Sequence, residues 1–81
     1  MKQGSVIVYR SGGVTMCYFY VGNNEGKMVF AKMFVVDFKP TDFWRMTPEW
    51  FDQQIAEGKL TIYEDGLPHD VAEEVMDKMV F

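Results

Sequence analysis

One cysteine and one histidine are all that this chain of 81 residues offers of the side chains that most often perform chemistry. A single cysteine excludes an internal disulfide. Cys17 lies in the middle of a strand-like segment, where a thiol behaves as a small hydrophobe. The lack of a disulfide framework favours a reducing compartment. Zinc sites want several Cys or His at set spacing, so one of each does not make one. His69 directly follows Pro68 in the first turn of an expected helix, where the positive end of the helix dipole disfavours protonation. It reads as a surface histidine. A Cys17–His69 pair is the best wager for an enzyme, and a central-strand thiol is a poor candidate for an exposed thiolate. Asp65-Gly66 followed by Asp70 lacks the alternating carboxylates and the closing glutamate of a calcium loop. The glycine-rich stretches SGG (11–13) and GNNEG (22–26) match neither a Walker loop nor a dinucleotide fingerprint. Both sit between strands rather than before a helix. There is also no apolar run long enough for a signal peptide or a membrane span, the amino terminus reading MKQGSVIVYR. The expectation is a soluble, cytoplasmic, non-enzymatic protein with no cofactor and no metal.

What the chain does have is apolar and aromatic surface, at 48% and 16% of its residues. That is enough for one compact domain over residues 1–81, near the lower size limit for folding without staples. The net charge of -4 is unevenly spread. Residues 1–36 carry Lys2, Arg10, Lys27 and Lys32 against Glu25, a net of +3. Residues 37–81 carry eleven carboxylates against Lys39, Arg45, Lys59 and Lys78, a net of -7. A strongly acidic half argues against direct binding of nucleic acid, whose phosphates need cations. It is compatible with a basic protein surface, and equally with helices that use Asp and Glu on their solvated sides.

Periodicity predicts strands over residues 5–10, 14–21 and 27–38, joined by turns at 11–13 and 22–26 into an antiparallel meander. Lys39-Pro40-Thr41-Asp42 breaks the pairing, because proline removes a ladder donor. Residues 43–46 (FWRM) fit either a short strand or a helical turn. Thr47-Pro48-Glu49 starts a helix over 48–57, with Phe51 and Ile55 on one face beside Trp50, and Gly58 ends it. Residues 59–64 form a short strand with Leu60 and Ile62 on one face. A final helix from Pro68 has an apolar stripe of Val71, Ala72, Val75, Met76 and Met79. Opposite it lies an acidic face of Asp70, Glu73, Glu74 and Asp77. The predicted fold is α+β, a three- to four-stranded antiparallel sheet in the order βββαβα with two helices packed on one face.

The strand pattern carries the functional expectation. Segment 27–38 is apolar on both faces, with Met28, Phe30, Phe34, Val36 and Phe38 on one, interrupted only by Lys32, and Val29, Ala31, Met33 and Val35 on the other. Segment 14–21 repeats this, with Met16, Tyr18 and Tyr20 opposite Cys17, Phe19 and Val21. A sheet with one wet face alternates apolar and polar residues instead. If both helices cover one face, the other, on the order of 350 Å², needs a partner. The expected interface is therefore Tyr18, Tyr20, Phe30 and Trp44 together with Asp70, Glu73, Glu74 and Asp77. Aromatic and methionine enrichment suits protein interfaces, and seven methionines add an adaptable surface. The expected function is a protein-binding module that occupies a partner's surface, with a homodimer as one form. The alternative is a nucleotide-like ligand held at a homodimer seam by aromatics with Arg10, Lys27 and Lys32. A small acidic, aromatic-rich αβ domain of this kind resembles in type the accessory proteins that phages and mobile elements use against host machinery. No motif carries that resemblance. It implies an inhibitor, of anti-defence or anti-CRISPR type, of a basic nucleic-acid-handling protein.

Overall fold

The computed structural model describes residues 1–35 and 37–78. Strand β1 (Val6–Ser11) turns into β2 (Val14–Asn24), which turns into β3 (Lys27–Lys32). Both turns are two-residue loops with φ positive at both positions. Gly12 (φ 58) and Gly13 (φ 80) sit inside the Ser11↔Val14 pair, and Glu25 (φ 52) and Gly26 (φ 76) inside Asn24↔Lys27. That geometry matches the right-handed twist of the flanking strands, which is why glycine recurs here. The second strand runs three residues beyond its expected end, because a bulge between Tyr20 and Gly22 absorbs Val21 and pairing then resumes. The Gln3 side-chain amide donates to the Val21 carbonyl at 2.8 Å, satisfying a group the bulge displaces.

The third strand ends six residues earlier than its pattern suggests. Phe34 takes φ 65, in the left-handed region that a strand cannot use, and the chain turns at residues 33–34. Val36 lies outside the described residues. Phe38 folds back so that its ring meets Phe19 (centroids 6.2 Å apart) and Phe43 (5.6 Å). A 3-10 turn (Pro40–Asp42) follows, closed by the Lys39 amide donating to the Asp42 carboxylate at 2.8 Å. The ambiguous stretch then becomes strand β4 (Phe43–Met46), antiparallel to β3 through Met28↔Met46 and Phe30↔Trp44. Helix α1 (Pro48–Ala56) begins at Thr47, whose hydroxyl accepts from the Trp50 amide at 3.2 Å, and Gly58 follows its end at φ 75. Strand β5 (Leu60–Tyr63) pairs with β1, and α2 (His69–Lys78) closes the described chain.

The α+β class and the antiparallel sheet are as expected, but the sheet has five strands in the order β4-β3-β2-β1-β5. The helices also do not share a face. The register sets Ile7 beside Tyr18 and Ile62, and Val8 beside Cys17 and Thr61, on opposite sides of the sheet. On the first side Ile7, Tyr18, Tyr20, Phe30, Met46 and Leu60 form one core with Phe51 of α1. On the second, Val6, Val8 and Cys17 form another with Val75 of α2. Phe51 stacks on Phe30 with centroids 5.7 Å apart, and Val75 is fully buried. Each such side chain contributes about 1.5–3 kcal/mol by leaving water. The sheet is apolar on both faces because each face carries its own helix.

Candidate interaction surface

The expected interface residues separate onto two sides of this sandwich. Tyr18, Tyr20 and Phe30 belong to the core beneath α1, at 9%, 9% and 0% exposure. The expectation of a bare sheet face drew them outward, and α1 covers that face. Burial pushes the Tyr18 phenol above its usual range, and the nearby Asp42 carboxylate adds to this. Tyr20 turns its hydroxyl onto the Asn23 side chain at 2.6 Å. Asp70, Glu73 and Asp77 are exposed on α2, over the opposite face.

Glu74 leaves the acidic face. It takes the Arg10 guanidinium in two contacts, Nε to Oε2 at 2.8 Å and Nη2 to Oε1 at 3.2 Å. Lys78 approaches the same carboxylate at 3.8 Å. The hydrogen bond from Arg10 holds the Glu74 carboxyl below the usual carboxylate range and raises the guanidinium in turn. This pair ties α2 to β1, a positional role that an amphipathic pattern alone cannot show.

Trp44 alone among the expected aromatics keeps substantial exposed surface, and it has company. Its ring meets Tyr9 at 5.4 Å edge-on, Tyr18 at 5.3 Å and Trp50 at 5.3 Å. Tyr9 and Trp50 lie 5.9 Å apart, and the Tyr9 hydroxyl donates to the Gln54 side chain at 3.3 Å. Tyr9, Trp44 and Trp50 are each half-buried and pack against the first core. The reason is one of length. Five strands at about 4.8 Å spacing span roughly 19 Å from first to last, whereas a helix of nine residues is about 13 Å long. One short helix therefore leaves part of its sheet face to aromatic rings. Period-two alternation placed Tyr9 on a strand but left Trp44 between a short strand and a helical turn, and Trp44 joins the sheet only through the return loop. Trp50 carried a helical signal beside Phe51, and nothing local pointed it toward Tyr9.

The other candidates stand apart. Cys17 is fully buried, and burial pushes its thiol up to about 11, so at neutral pH it is not a thiolate. His69 is exposed, with its Nε2 3.0 Å from Glu73 in the next turn. Among the described residues no three His, Cys, Asp or Glu side chains are placed to hold a metal ion. Arg10, Lys27 and Lys32 do not converge: Arg10 is held by Glu74, while Lys27 and Lys32 occupy opposite ends of β3. Among the described residues no helix is long and apolar enough to cross a membrane. No protein-family model, curated protein or solved structure matches the chain.

Proposed function

We propose that this protein is a small non-enzymatic binding module that acts by occupying the surface of a partner protein. The Tyr9–Trp44–Trp50 patch is its anchor. The observation that carries this reading is that patch: three large aromatic side chains in mutual contact and only partly buried. Trp and Tyr are the residues most enriched among energetic anchors of protein interfaces, because each buries a large rigid area at little entropic cost. The acidic balance of residues 37–81 supports a basic partner. In its finer form the reading is inhibition of a basic nucleic-acid-handling protein by simple coverage.

The test begins with the partner that the tagged wild-type chain retains from an extract of its native host. Trp44→Ala should weaken that complex by about 2 kcal/mol, roughly thirtyfold in Kd. An unchanged circular dichroism spectrum would show that the fold is kept. Retention at wild-type affinity by a folded Trp44→Ala, Trp50→Ala double variant refutes the patch as anchor. Light scattering of the isolated protein shows whether a second copy is the occupant.

A further inference from the structure

On the side of α1 away from the aromatic patch, an open groove lies between the helix and the ends of β2 and β5. Phe51 and Ile55 form its helical wall, Met28 and Ile62 line it from the sheet, and Asp52 and Glu64 supply two carboxylates. Ile55 is the unexpected member. The helical period places it inward with Phe51, yet it is 38% exposed, and Gln54 takes the buried position at 6%. None of the ion pairs among the described residues involves Asp52 or Glu64. Met1 also lines the groove, and the neighbouring Lys2 is paired with Asp65 at 3.2 Å.

We infer that this groove receives an aliphatic side chain of the partner protein with a lysine or arginine beside it. The inference rests on the protein-binding reading and adds a second contact to it. Apolar walls gain by shedding water onto an aliphatic chain. Two carboxylates that take part in no ion pair among the described residues favour a cationic neighbour, and they repel an acidic segment. A neutral or acidic occupant would strip water from both carboxylates and return nothing. The groove and the aromatic patch flank the same helix, so a partner lying across α1 can reach both.

Amide chemical shifts in the full chain, titrated with hexylammonium chloride and separately with sodium hexanoate, test the groove without the partner. These probes share the alkyl chain and differ in the sign of the charge. Hexylammonium should move the amides of Asp52, Ile55, Ile62 and Glu64, and bind about fivefold more tightly than hexanoate, the scale of an exposed charge pair. Asp52→Asn with Glu64→Gln should abolish the preference, while Trp44→Ala should leave it intact. Equal response to both probes overturns the inference. So does no response, or hexylammonium shifts confined to the Tyr9–Trp44–Trp50 patch. Any of these leaves the Trp44→Ala test of the binding module untouched, so the two failures are distinguishable.

Discussion

Alkaline pH should cost the wild-type protein stability that a Cys17→Ala variant does not lose. Cys17 is fully buried beneath α2, among Val6, Val8 and Val75. Burial pushes its thiol from about 9 up to about 11, and the nearby Arg10 charge pulls weakly the other way. Below about pH 9 the thiol is neutral in both folded and unfolded chains, so its contribution is fully present. Above that, the unfolded chain gains by ionising while the folded one does not, and the contribution is lost as pH rises through about 11. A gap of about two pH units corresponds to about 3 kcal/mol. A chain of this length has on the order of 4–12 kcal/mol in total. Urea unfolding at a series of pH values measures this. The stability difference between wild type and Cys17→Ala should narrow by about 2–3 kcal/mol across that window. Tyr18 titrates in both proteins and cancels from the difference. A difference that stays constant with pH refutes the burial argument. So does alkylation of native Cys17 by iodoacetamide at the rate of an unfolded peptide, which would also reopen a catalytic role for the thiol.

Glu25→Asn should stabilise the fold by about 0.5–1 kcal/mol, because Glu25 sits at φ 52 and asparagine tolerates that left-handed conformation before Gly26; an unchanged or lower denaturation midpoint would contradict the turn assignment. Reversing Glu73 and Asp77 to lysine on α2 should slow association with a basic partner and flatten its salt dependence, leaving dissociation unchanged. Altered dissociation would place α2 inside the contact rather than behind it.

Local chemistry made much of this fold legible. Glycine pairs at the hairpin tips, the Thr47-Pro48 helix start and the two-residue period of segments 5–10 and 14–21 are short-range properties. The structure keeps them almost in place. The early end of β3 was hidden, because Phe34 occupies a left-handed conformation that residue type does not announce. Its consequence was hidden too: the returning chain delivers Phe43–Met46 to the sheet edge and Trp44 to Tyr9. The composition of β1, β2 and β3 determined that both sheet faces would be dry, since alternate residues on each side are apolar. Only the tertiary structure decided what dries them. Which face a helix covers depends on the path of the loops that carry it, and periodicity records only that a stripe must be buried. For the same reason the acidic stripe of α2 was legible while the turn of Glu74 toward Arg10 was not. Residues 64 positions apart meet through topology, and no local signal encodes that.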